Sequence, residues 1–157
     1  MTSETANLEQ RLRTTPEGPE LAYVLNSLAL SYSMERRHEE ALETFARYIT
    51  LRDTYLPNLP LKQKSSNSFQ HGQYLEAAGK PDQAVDQYVR AIEEDIGSAG
   101  SYDCVKRIIE RRGNNFQQFL DSMQPGKARN MFEAIQWLTN DADLRSVREI
   151  LDKFNRE

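Results

Sequence analysis

The segment LNSLALSYSMERRHEEALETF, residues 25–45, decides how this chain folds. Its apolar residues recur at steps of three and four, as in Leu25, Leu28 and Tyr32, and alternation with a period of two is nearly absent. This spacing is typical of amphipathic α-helices. The apolar pattern breaks around residues 36–38 and resumes at Ala41 and Phe45. Because neither helix could bury its apolar stripe alone, the segment predicts two helices packed as an antiparallel pair.

The same arrangement returns further along the chain. A helix is predicted over residues 61–78, followed by the break Gly79-Lys80-Pro81-Asp82 and a helix over residues 83–94. Proline is well tolerated at a helix start, because the N–H that it lacks would have no partner within the helix. Breaks of this kind divide the whole chain into about eight helices, the first of them short. The sequence therefore predicts an all-α fold.

Two segments share one internal spacing. The first has Leu25-x2-Leu28-Ala29-x2-Tyr32 and then Ala41-x3-Phe45; the second has His71-Gly72-x2-Leu75, Gly79, Ala84-x3-Tyr88 and Ala91. On these residues the chain resembles the tetratricopeptide-repeat (TPR) family in two units that cover residues 19–94. The resemblance implies antiparallel helix pairs stacked as a short right-handed superhelix. The chain departs from the family at Ser68 and His71, and its two alanine anchors lie 43 residues apart instead of the usual 34.

The remaining sequence suggests a degenerate third pair and a cap. Tyr102, Val105 and Ile109, followed by Gly113, fit a first helix, whereas Gln118 and Ser122 stand where alanine and an aromatic residue are expected. Helices over residues 127–139 and 144–155 are predicted to cover the apolar end of the array; the second has its stripe at Leu144, Val147, Leu151 and Phe154. The predicted division is a short helix and linker over 1–18, a repeat domain over 19–123 and a capping pair over 124–157.

Composition limits the function. The chain has 157 residues, 38% of them hydrophobic, and 20 basic against 24 acidic residues give a net charge of −4. A nucleic-acid binder would normally be basic, so nucleic acid is not expected as a partner. No apolar run approaches the roughly 20 residues of a membrane span. The start MTSETANLEQRLR is polar and the chain has one cysteine, so we expect a cytoplasmic protein that binds no membrane.

Few residues could carry chemistry. The two histidines, His38 and His71, do not have the spacing of a metal-ligand pair. Near Cys104 the sequence shows no cation that is combined with a catalytic partner. His71 is interpreted as a partly buried packing residue and Cys104 as a small buried one. The segment Gly97-Ser98-Ala99-Gly100-Ser101 follows no strand and lacks the lysine of a phosphate-binding loop. We therefore expect no enzyme activity, no cofactor and no metal.

The resemblance implies a binding groove lined by the first helices of successive units. Matched positions are Asn26, Leu30, Ser33 and Met34 in the first repeat, Phe69, Gln73 and Glu76 in the second repeat, and Asp103, Arg107 and Arg111 in the third repeat. One end of this set is apolar and the other is basic, within a basic run that also includes Lys106, Arg112, Lys127 and Arg129. The expected partner is a protein or peptide with hydrophobic anchors and an acidic end.

Three readings of the function stay open at this point. The first is an adaptor or scaffold that binds a partner peptide or helix in its groove. The second is an accessory repeat module of a larger enzyme, such as the repeat segments of some bacterial glycosyltransferases. The third is a self-assembling unit whose groove takes its own C-terminal helices or a second copy. Trp137 and the neighbouring Phe132 provide an alternative surface for a partner.

Overall fold

The computed structural model describes residues 3–136 together with residues 149 and 152. The described residues form eight α-helices and no strand, which confirms the all-α prediction. The helices are α1 (Ser3–Thr14), α2 (Pro19–Met34), α3 (His38–Tyr55), α4 (Leu61–Ala77), α5 (Pro81–Glu94), α6 (Ala99–Arg111), α7 (Phe116–Ser122) and α8 (Lys127–Gln136). Trp137 lies outside the described residues, as does the predicted helix over 144–155 except for residues 149 and 152. None of the described helices is long and apolar enough to cross a membrane.

Helices α2, α4 and α6 end in the same way. A residue with positive φ follows each helix: Arg36 (61°), Gly79 (77°) and Gly113 (74°). The next backbone N–H then bonds to a carbonyl five residues earlier, at 2.9 Å for Arg37 to Tyr32, 2.9 Å for Lys80 to Leu75 and 3.2 Å for Asn114 to Ile109. This is a Schellman motif, in which glycine is favoured because it has no Cβ. Arg36 is the one non-glycine residue with positive φ in the described part of the chain.

Residues 1–59 and 73–80 form one compact unit, here called the first unit. Its core joins Leu21, Ala22, Leu25 and Ala29 of α2 with Phe45 and Tyr48 of α3 and Tyr74 of α4. The Phe45 ring centroid lies 5.3 Å from those of both Tyr48 and Tyr74. The small alanines allow the backbones to approach, while the aromatic rings fill the space between the helices.

Helix α1 packs on this core. Leu8 clusters with Leu28, Tyr32 and Ala41, and Leu12 also contacts the cluster. The fully buried Thr5 shares a hydrogen bond of 2.6 Å with the Ser31 hydroxyl, and its own hydroxyl also donates to Glu35. Thr5, Leu8 and Leu12 recur at helical spacing, so they lie on one face of α1. This face packs against the core of the first unit.

Residues 60–72 and 81–157 form the second unit. Its core includes Tyr88 of α5, which is 1% exposed, and a cluster of aromatic rings from α6, α7 and α8. The cluster is formed by Tyr102, Phe116, Phe119 and Phe132, with neighbouring centroids 5.1 to 6.2 Å apart. Phe132 is fully buried there, so it does not provide the alternative surface that the sequence suggested. Gln118 and Ser122 are exposed on α7.

Polar contacts join the helices of the second unit as well. Ser65 on α4 donates to the Ala91 carbonyl of α5 at 2.7 Å, and Ser68 donates to Glu94 at 2.5 Å. On the other side, the backbone N–H of Ala128 donates to Glu93 at 3.0 Å. Both serines of α4 are buried, so these bonds satisfy their hydroxyls.

Candidate partner-binding surface

One face of α2 exposes large apolar side chains to solvent. Tyr23 is 56% exposed, Leu30 47% and Met34 77%; among the described residues only Leu61 is a further large hydrophobic side chain exposed to this degree. Because α-helical residues turn by about 100° each, positions 23, 30 and 34 lie within about 40° of one another. With the exposed Ser27 between them, these residues form the α2 stripe, about 16 Å long.

The packing of α2 explains why this stripe is uncovered. One flank of the helix, including Leu25 and Ala29, faces α3 and Tyr74. Another flank, including Leu28 and Tyr32, is covered by α1. A third face turned to solvent would usually carry polar residues. Here it carries an aromatic ring, a leucine and a methionine in one line, and contiguous apolar patches of this kind often mark interaction sites.

Asn26 lies at the edge of the α2 stripe, three residues after Tyr23 and four before Leu30. Its side chain is half-buried, and its Oδ1 is buried without a hydrogen-bond partner among the described residues. A buried acceptor left unpaired costs about 1–3 kcal/mol. The half-buried Asn26 is therefore a polar residue at the edge of the stripe whose buried Oδ1 is not itself accessible to a partner.

The other predicted binding residues have different surroundings. Gln73 of α4 is exposed and belongs to the first unit, as do Asn26, Leu30 and Met34. Phe69, Arg107 and Arg111 belong to the second unit. The Phe69 ring lies 5.5 Å from that of Tyr88, and a Cβ placed on Gly100 would lie 3.5 Å from it, so Phe69 packs between helices of its own unit.

Part of the predicted basic run is neutralised by neighbours. Arg112 donates to both carboxylate oxygens of Asp82, with the Nη2 to Oδ2 distance at 2.8 Å, and this pairing lowers the pKa of Asp82. Arg129 donates to Glu133 at 2.8 Å and to the Met123 carbonyl at 2.7 Å. Arg111 is exposed on α6 and Arg107 is half-buried one turn before it. Arg111 is therefore an accessible candidate for an acidic partner, whereas Arg107 already interacts within the chain.

His38, His71 and Cys104 are all half-buried. His71 is half-buried and hydrogen-bonded to Gln87, and burial lowers its pKa, so its imidazole is neutral at physiological pH. Cys104 is half-buried and is a free cysteine. Within the part of the chain that the structure describes, no group of three His, Cys, Asp or Glu side chains could hold a metal ion. His71 therefore has the packing environment that its sequence position suggested.

Sequence reasoning missed Tyr23, which lies seven residues before Leu30 on the same face. Its spacing was visible in the sequence, but nothing there indicates that α1 covers one flank of α2 and leaves this face open. Comparison with protein-family models, with curated proteins and with solved structures found no match to this chain. Its function is therefore inferred from its own residues and their packing.

Proposed function

We propose that this chain is a protein-interaction module that binds an apolar peptide or helix of a partner protein and performs no chemistry itself. The observation that carries the proposal is the α2 stripe, where Tyr23, Leu30 and Met34 are exposed in one line. Burying side chains of this size gives about 1.5–3 kcal/mol each, which makes them suitable anchors for a partner. The half-buried Asn26 at the edge of the stripe would lie beside the bound segment.

The bound segment is best matched by an amphipathic helix. Its apolar residues would recur at steps of three and four, because this spacing follows a stripe about 16 Å long. Met34 suits such contacts, since methionine is unbranched and adapts to different surfaces. Arg107 and Arg111 on α6 of the second unit are proposed separately as contacts for acidic residues of a partner.

The TPR-like right-handed superhelix is part of the proposal. Three features support it: the identical ends of α2, α4 and α6, the buried alanines Ala29, Ala41 and Ala84, and the close approach of Gly72 to Tyr88. The last two helix ends lie 34 residues apart, the repeat length of the family, at Gly79 and Gly113. The proposed location is the cytoplasm.

A displayed random-peptide library selected on the whole chain tests the binding surface. The double variant L30D/M34D serves for counter-selection, and Leu61→Asp is the matched control because Leu61 is 57% exposed outside the stripe. We expect peptides with helically spaced apolar residues, bound at least tenfold more weakly by L30D/M34D and equally well by Leu61→Asp. All three proteins should have the same circular dichroism spectrum, since these side chains are exposed.

Two results would contradict the proposal. One is that every enriched peptide with helically spaced apolar residues binds L30D/M34D and the unmodified chain with equal affinity. The other is a selection that enriches no peptide at all over several rounds. The role of α6 is tested separately. The double variant Arg107→Glu with Arg111→Glu should bind peptides with acidic ends more weakly than the unmodified chain does. Unchanged affinity for these peptides would remove α6 from the proposed contacts.

A further inference from the structure

A cleft of about 370 Å³ lies in the first unit, between the start of α2 and the second half of α3. It is lined by Glu17, Leu21, Ala46, Arg47, Thr50 and Leu51. Leu21 belongs to the core cluster of Phe45 and Tyr48, and Leu51 packs against that cluster, so the floor of the cleft is the edge of the core. Leu21 and Tyr23 are two residues apart on α2, so they point about 200° apart around the helix. The cleft is therefore a different surface from the α2 stripe.

The walls of the cleft are apolar and its rim is charged. Leu21 is buried and Leu51 half-buried, whereas Glu17, Ala46 and Arg47 are exposed. A volume near the lower end of the range for ligand pockets has room for one large apolar side chain. Because so much of the rim is open to solvent, the cleft would not enclose a small molecule on most of its surface, as small-molecule sites usually do. This shape suits a side chain that belongs to a longer segment.

The two charges at the rim do not neutralise each other. The Tyr55 hydroxyl donates to Glu17 at 2.9 Å, which holds this carboxylate in place and raises the pKa of Tyr55. Arg47 makes no hydrogen bond or ion pair among the described residues, with Glu17 or with any other group. An arginine can bind a carboxylate through two parallel hydrogen bonds. One acidic and one basic group thus stand on separate elements beside a shared apolar pocket.

We propose that this cleft binds a partner segment in which a large apolar side chain stands between a basic and an acidic residue. The apolar side chain packs on Leu21 and Leu51. The acidic residue pairs with Arg47 and the basic residue with Glu17. The inference extends the proposed interaction function to a second surface, but it does not depend on the α2 stripe.

Titration of the isotope-labelled full chain with blocked pentapeptides, followed by NMR at low salt, tests this inference. The probes have a central phenylalanine, with alanine at both ends, and differ in its two flanking residues: one Lys and one Glu in either order, two Lys, two Glu, or two Gln. A further probe has Ala in place of Phe between Lys and Glu. We expect the better mixed-charge peptide to bind about three- to fivefold more tightly than the Gln peptide, as exposed ion pairs allow. The shifted amides should lie at residues 17–21 and 46–51.

Charge reversal makes the test specific. Arg47→Glu should make the peptide with two Lys the tightest binder, and Glu17→Lys should make the peptide with two Glu the tightest. Lys62→Glu and Glu110→Lys make the same changes of charge at exposed positions on α4 and α6, so they should leave the ranking unchanged. Arg47→Gln is the milder variant if Arg47→Glu lowers the helix content.

Several outcomes would overturn the inference. The first is that neither mixed-charge peptide gives saturable chemical-shift changes. The second is that the peptide without phenylalanine, or free phenylalanine, binds as tightly as the mixed-charge peptides. The third is that Arg47→Glu and Glu17→Lys leave the order of peptide affinities unchanged. L30D/M34D should bind these peptides normally. Loss of binding in L30D/M34D would place the site on the α2 stripe instead, so failure here is distinguishable from failure of the proposed function.

Discussion

Replacement of Gly72 by alanine tests the close packing of α4 against α5 in the second unit. A Cβ on Gly72 would lie 2.5 Å from Cε1, 2.7 Å from Cδ1 and 2.9 Å from Cζ of Tyr88. An ordinary contact needs about 3.5 Å, so the ring would have to move by about 1 Å. That ring is 1% exposed and lies against Phe69, which leaves little room for the movement.

The magnitude follows from two opposing effects. Overpacking of a core costs about 1–3 kcal/mol, and three ring atoms in overlap place this case in the upper part of that range. Alanine in a helix interior is favoured over glycine by about 0.8–1.0 kcal/mol. Gly72→Ala should therefore lower the free energy of unfolding by about 1–2 kcal/mol, which for a chain of this size lowers Tm by roughly 2–8 °C.

Urea unfolding followed by circular dichroism measures this change, with Gly100→Ala as the matched control. A Cβ on Gly100 would lie 3.5 Å from the Phe69 ring, an ordinary contact, so this variant should be as stable as the unmodified chain or slightly more stable. In the background of Tyr88→Leu, Gly72→Ala should lose its destabilising effect. If Gly72→Ala stabilised the chain as much as Gly100→Ala does, Tyr88 could not pack on Gly72 as described.

Three further predictions concern stability. Arg36→Gly should raise the free energy of unfolding by about 1 kcal/mol in urea titrations, because glycine accepts the positive φ of 61° without a Cβ clash; Gly79→Ala should lower it by a similar amount, and the opposite signs would contradict the Schellman assignment. Burial raises the pKa of Tyr102 to about 12, so the unfolded chain loses this proton first as the pH rises above 10. The free energy of unfolding should therefore fall between pH 10 and 12 by up to about 2–3 kcal/mol. In Tyr102→Phe this fall should be smaller. Burial lowers the pKa of His71, so the unfolded chain takes up a proton first as the pH falls below 6.5. Urea titrations from pH 7 to 5 should show a fall in the free energy of unfolding that is smaller in His71→Gln. An equal fall in the variant would show that His71 is not the titrating group.

The sequence predicted the helices well because their stripes and breaks are local features. Leu21, Leu25 and Ala29 were predicted to form the buried face of α2 and are buried, and the three-residue break before α3 was predicted from the interrupted apolar pattern. The αL conformation of Arg36 was not predictable in this way. It is a residue with a Cβ in a position that usually belongs to glycine, and only the hydrogen bonds of the turn reveal it.

The candidate site was harder to predict, because periodicity shows which residues share a face but not what covers it. Leu30 and Met34 were assigned to a binding face and are exposed, whereas Phe69 was assigned to the same face and packs against Tyr88. Phe132 was considered as a surface residue because it neighbours Trp137, which lies off the predicted apolar stripe of that helix. In the structure the rings of Tyr102 on α6 and Phe116 on α7 pack against Phe132 and bury it.

The difference in exposure between Met34 and Met131 offers a pair of spectroscopic reporters. Met34 is 77% exposed at the end of α2, and Met131 is fully buried in α8. With ¹³C-methyl-labelled methionine, the Met34 signal would report directly on a ligand at α2, while the Met131 signal would report on the packing of the second unit. Mild peroxide should likewise oxidise Met34 first, since sulfoxide formation follows the accessibility of the thioether. A single sample can thus separate the loss of a binding surface from the loss of the fold.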